Sequence, residues 1–142
     1  GVTVDLIEPA GFAVTDKTLR RAGLDYLDAA LLSRHADWNA FEAWRRAEGR
    51  RLVLLTTAAT TRHVDFAFEA SDVIMVGRES AGVPPAVHAA ADARLIVPMR
   101  PGLRSLNVAV AAVMVLGEAL RRLDAYPAPT SDPSPARRGR PA

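Results

Sequence analysis

Two stretches carry the residue types best suited to hold a ligand. The first reads Gly77-Arg78-Glu79-Ser80-Ala81-Gly82-Val83-Pro84 and follows the apolar run Val73 to Val76. The second reads Pro98-Met99-Arg100-Pro101-Gly102-Leu103-Arg104-Ser105-Leu106-Asn107 and follows Leu95 to Val97. Glycines such as Gly77 and Gly82 allow tight turns and let backbone approach a ligand closely. Standard nucleotide chemistry does not fit them. Gly77 and Gly82 have a phosphate-loop spacing, but Val83-Pro84 stands where Lys-Ser/Thr would bind phosphate and magnesium. There is no G-x-G-x-x-G pattern, so the dinucleotide fingerprint is missing as well. His35, His63 and His88 lack metal-ligand spacing, and no metal is expected. Ser105 has no histidine nearby to activate it as a hydrolase nucleophile. On local chemistry alone, both stretches could equally be plain glycine-bearing connections.

The elements that must position these stretches follow from the patterning. Val2 to Ile7, Ala30 to Ser33, Leu52 to Thr56, Val73 to Val76 and Leu95 to Val97 read as strands. Helices are expected from Asp16 to Ala22, from Asp37 to Glu48, from Pro84-Pro85 onward, and from Asn107 to Leu123. Asp16 and Asp37 are N-cap types, Gly23 and Gly49 are stop signals, and proline suits a first turn. Strands alternating with helices, without clean polar alternation, indicate an α/β fold: a mostly parallel sheet with helices on both faces. In such sheets ligands sit at the carboxyl ends of the strands, where the two glycine stretches lie.

With 142 residues the chain suits one compact domain, expected over residues 1–126. Residues 127–142, rich in Pro, Ala and Arg, read as a disordered tail. Cysteine is absent, which excludes disulfides and thiolate chemistry. No apolar run approaches a membrane span and no signal peptide opens the chain, so no membrane partner and a cytoplasmic location are expected. The formal net charge is +2, and Arg137, Arg138 and Arg140 against Asp132 account for it. Residues 1–126 are therefore formally neutral, and any basic surface there must come from arrangement.

Three blocks together carry a family resemblance. Ile7-Glu8-Pro9-Ala10-Gly11-Phe12 followed by Asp16-Lys17-Thr18-Leu19-Arg20-Arg21-Ala22-Gly23-Leu24-Asp25-Tyr26 is the first, Gly77 to Pro84 the second, and Ile96-Val97-Pro98-Met99 through Arg104-Ser105-Leu106-Asn107 the third. At this spacing they resemble the SpoU branch of the SPOUT RNA methyltransferases, most closely the tRNA (cytidine/uridine) wobble-position ribose 2′-O-methyltransferases. The resemblance spans residues 1 to about 123. It implies a trefoil-knotted fold, S-adenosylmethionine as cofactor, tRNA as substrate and a homodimer. It also implies methyl transfer to the wobble ribose 2′-hydroxyl.

Carried over position by position, Leu55, Thr56, Gly77, Glu79, Gly82, Val97, Met99, Ser105 and Leu106 would bind the cofactor, with Thr57 beside them. Ser105 and Asn107 are catalytic candidates that would orient the ribose. Arg20, Arg21 and Arg104 are candidates for RNA contact, though solvated charges on a helix face would look the same. The small residues Ala111, Ala112 and Gly117 make the 107–123 helix the expected dimer interface. The resemblance also has gaps. It implies a further strand and an arginine-bearing helix ahead of Val2, and Arg78 stands where proline is usual. Val108-Ala109-Val110 follows Asn107 where serine and asparagine are frequent, and Gly117 precedes Glu118 where an aromatic residue is frequent. Ribosomal RNA methylation and a non-catalytic RNA-binding dimer are the alternatives.

Overall fold

The computed structural model describes residues 2–9, 32–78, 81–102 and 106–129. The expected helix from Asp16 to Ala22, most of the tail and residues 79–80 and 103–105 lie outside the described residues, as does any test of the implied knot. Within them the order is β1 (Val4–Ile7), β2 (Leu32–His35), α1 (Trp38–Ala47), β3 (Leu52–Leu55), β4 (Thr61–Arg62) and a 3-10 turn (His63–Asp65). Then come β5 (Val73–Met75), α2 (Pro85–Ala90), β6 (Ala93–Ile96) and α3 (Val108–Arg122). All pairings are parallel: β1 lies beside β2, and a four-stranded sheet runs β4-β6-β3-β5. This is the mixed α/β architecture that the alternation predicts.

β3 is central, flanked by β5 and β6, and Leu52, Val53 and Leu54 are each fully buried. A strand enclosed on both faces cannot alternate with polar residues, which is why its sequence is a continuous aliphatic run. Val53 joins Leu95, Phe68, Val115 and Ala119 in the main core, so α3 covers that face. Leu52 and Leu54 point to the other face by strand alternation. The buried apolar side chains of α1 and α2 are Phe41 and Val87.

The caps are those the sequence announces. The Asp37 carboxylate accepts from the Ala40 amide at 2.8 Å, starting α1. Gly49, at φ +63°, ends it, and its amide donates to the Arg46 carbonyl. Asn107 caps α3, its Oδ1 accepting from the Ala109 amide at 2.9 Å and the Val110 amide at 3.3 Å.

Four elements show the main differences from the sequence reading. β2 ends at His35 rather than Ser33, because His35 bonds Asp5 on β1 at 2.8 Å and packs on Phe41 and Trp44. β6 begins at Ala93, where β3 supplies pairing that local pattern does not show. β4 and the 3-10 turn were not expected at all; the polar Thr61-Arg62 pair becomes a strand only by bonding the edge of β6. No helix among the described residues is long and apolar enough to cross a membrane.

Candidate functional site

The carboxyl ends of β3, β5 and β6 bring the two glycine stretches together. Leu55, half-buried, ends β3 and packs against the core. The next residue, Thr56, donates its amide to the Leu95 carbonyl at 3.0 Å, which sets the exit of β3 beside that of β6. Its Oγ1 accepts from the Ala58 amide at 3.2 Å, fixing the turn that carries Thr57.

After β5 the chain closes on itself. The Arg78 amide donates to the Gly82 carbonyl at 3.0 Å, and the Gly82 amide donates back to the Arg78 carbonyl at 2.7 Å. Gly82 takes φ +64°, a region that glycine enters without strain. Gly77 is demanded by crowding: a Cβ there would stand 2.5 Å from the Gly82 carbonyl carbon. Both glycines thus serve this closed turn directly. Glu79, a cofactor-binding candidate from the resemblance, is outside the described residues.

The third loop leaves β6 through Val97, which packs on the core, then through half-buried Met99 and exposed Arg100 to Gly102 at φ +86°. Leu106, half-buried, leads into Asn107 and α3. Ser105 and Arg104 on this loop, like Arg20 and Arg21, lie outside the described residues. The structure therefore gathers Leu55, Thr56, Gly77, Gly82, Val97, Met99, Leu106 and Asn107 onto the loops that leave this one edge of the sheet.

The chemistry of this edge is that of peptide groups and aliphatic walls. The backbone groups of Gly77 and Met99 make no backbone hydrogen bond among the described residues. Val97, Met99 and Leu106 offer apolar surface beside them. Free amides and carbonyls can read the edge of a heterocycle while aliphatic side chains hold its faces. Among the described residues no group of three or more His, Asp or Glu could hold a metal ion.

One contact at this edge has no local sequence signal. Arg78 Nη2 donates to the Pro9 carbonyl at 2.7 Å, tying the chain just after β1 to the Gly77–Gly82 turn across 69 positions.

Comparison with known proteins places this arrangement in a class. Residues 1–117 match the SpoU rRNA methylase family, and the chain belongs to it. It is 60% identical over 126 residues to a tRNA (cytidine(34)-2'-O)-methyltransferase of Ancylobacter novellus, covering 89% of this chain and 80% of that protein. A solved structure described as giving insights into the 2-OH methylation of C/U34 on tRNA superimposes with a TM-score of 0.78 at 33% identity, covering 87% of this chain and 80% of that one. An AdoMet-bound rRNA methyltransferase from Sinorhizobium meliloti superimposes with a TM-score of 0.73 at 26% identity, covering 85% of this chain and 46% of that one.

Proposed function

We infer that this chain transfers a methyl group from S-adenosylmethionine to the ribose 2′-hydroxyl of the wobble nucleotide, cytidine 34, of tRNA. The observation that carries the reading is the edge just described, in a chain 60% identical to a cytidine 34 methyltransferase. The edge pairs open peptide groups with aliphatic surface and has a closed glycine turn beside it. This set fits S-adenosylmethionine: peptide groups at Gly77 and Met99 for the adenine edge, and Leu55, Val97, Met99 and Leu106 for its faces. Thr56, Gly82, Glu79 and Ser105 complete the proposed cofactor set.

S-adenosylmethionine supplies an electrophilic methyl group on a sulfonium. The protein's share of the work is to align the ribose hydroxyl with that methyl and to exclude water. Ser105 and Asn107 are proposed to orient the ribose. The Asn107 Oδ1 is already committed to capping α3, so its contribution is a hydrogen bond donated from Nδ2. Arg20, Arg21 and Arg104 are proposed RNA contacts, and a cytoplasmic location is proposed with tRNA as the substrate.

The working unit is proposed to be a homodimer joined through α3. Val110, Val113 and Met114 stand 49%, 68% and 44% exposed at helical spacing along one stripe. An unpartnered apolar helix stripe of this kind suits burial against a copy of itself. Val113→Glu should shift the chain toward monomer in sedimentation.

The test of the reaction is mass spectrometry of nucleosides after incubation with isotopically labelled S-adenosylmethionine and either tRNA or ribosomal RNA. Labelled 2′-O-methylcytidine at position 34 of tRNA is expected. Label confined to ribosomal RNA would move the assignment to that substrate. Binding of S-adenosylhomocysteine with no label in either RNA would mark a non-catalytic binder.

A further inference from the structure

The arginines divide by what they touch. Arg45, Arg46, Arg51, Arg62, Arg121 and Arg122 each hold a carboxylate within 2.9 Å. Arg34 pairs with Glu8, Arg94 spends two donors on the His88 carbonyl, and Arg50 lies over the Trp44 ring. Arg78 and Arg100 stand apart. Both are exposed, neither has a carboxylate partner among the described residues, and they occupy the loops after β5 and β6.

Arg78 is also aimed. Among the described residues its side-chain hydrogen bond goes to the Pro9 carbonyl, a neutral acceptor that orients the guanidinium without cancelling its charge. A guanidinium carries five N–H donors, so most remain open. In a body whose formal charge is zero, two cations without a carboxylate partner among the described residues favour a local positive field at this edge that composition does not reveal.

We propose that Arg78 and Arg100 form a phosphate-binding lip that grips the RNA backbone beside the target ribose, an inference that rests on the function read above. The guanidinium fork matches phosphate oxygens in a way a point charge does not. Each phosphate contact on a single strand contributes about 0.7 to the slope of log affinity against log salt. That slope separates a phosphate contact from a loop brace.

The experiment measures tRNA binding by the full chain across a salt series for the parent, Arg78→Gln, Arg100→Gln and Arg78→Lys, with S-adenosylhomocysteine affinity measured alongside. Each glutamine variant should weaken tRNA binding about fivefold to tenfold at low salt and flatten the slope by about 0.7. Arg78→Lys should keep the slope. S-adenosylhomocysteine binding should be unchanged in all three. Arg100 makes no bond within the described structure, so its removal tests charge without disturbing a contact. Parental slopes in both glutamine variants would overturn the lip. So would a loss confined to S-adenosylhomocysteine affinity, which would assign Arg78 to the cofactor's carboxylate. A parent that binds the cofactor product but no tRNA would overturn the function reading instead, and the lip with it.

Discussion

The two ends of the sheet are built on opposite rules. At the amino end Arg45 and Arg51 are each locked into a network of carboxylates and carbonyls. Arg45, only 5% exposed, bonds Glu42, the Arg50 carbonyl and Asp92, while Asp92 also accepts from the Leu52 amide at 2.7 Å. Arg51 holds Asp72 through two bonds, and Asp72 accepts from the Glu69 amide as well. At the carboxyl end the loops show tight glycine turns, and among the described residues Gly77 and Met99 make no backbone hydrogen bond and Arg78 and Arg100 have no carboxylate partner. Satisfied polar networks lock a structure, whereas unmet donors and acceptors are what a ligand can complete. The amino end holds the fold together and the carboxyl end is left available for binding.

This division can be broken from either side. The largest effect should come from Arg45→Ala, which leaves the Glu42 carboxylate with Arg46 alone and removes the bonds to Asp92 and the Arg50 carbonyl. Removing one partner of such a buried pair should cost about 3 kcal/mol in chemical denaturation. Affinity for S-adenosylhomocysteine should stay at the parent value, because nothing at the carboxyl end touches Arg45.

Asn107 sits where the two rules meet, and its substitutions sharpen the comparison. Asn107→Ala should lose about 1 kcal/mol of stability with the cap. Asn107→Asp keeps an acceptor for the Ala109 and Val110 amides and should recover that stability. It removes the Nδ2 donor, so methyl transfer should remain slow in the aspartate variant. Recovery of both stability and rate would reduce Asn107 to a cap alone.

The smallest effect is a pH dependence. The bonds from Arg45 and then Arg46 hold the Glu42 carboxyl below its ordinary value, against the opposing pull of burial. A carboxylate depressed in the folded state adds stability above its unfolded pKa, and that stability is lost as pH falls through the lowered value. Glu118, held down to about 2 by Arg121 and Arg122, follows the same sign at the exposed end of α3. The stability gap between the parent and Glu42→Gln should therefore be fully open near neutral pH and close steadily below about pH 4. A gap that widens in acid would contradict the pairing.

Much of this was legible in the residues themselves. Asp37 with Gly49, and Asn107 ahead of an apolar run, announce their helices because capping is a local interaction. Leu52 to Leu55 announces a doubly covered strand because burial on both faces excludes polar side chains. Thr61-Arg62 was silent because its strand character comes wholly from the edge of β6. Ala111, Ala112 and Gly117 marked α3 as a packing helix without saying which face the core would take. The core takes Val115 and Ala119 and leaves Val110, Val113 and Met114 exposed. Gly77 and Gly82 were visible as a pair, but that the first makes room for the second emerges only from the closed turn. The Arg78 bond to Pro9 spans 69 positions and could not be read from either neighbourhood.

The central claim is that the closed glycine turn at the carboxyl end holds the cofactor. It is tested most directly by calorimetric titration of S-adenosylhomocysteine into the parent chain and into Gly77→Ala, with thermal unfolding recorded for both. One methyl group forces the Gly82 backbone to move. We predict saturable one-site binding by the parent and at least tenfold weaker binding by the variant, a loss of about 1.4 kcal/mol, with folding retained. Equal affinity in the two folded chains, or a folded parent that does not bind, would contradict the account.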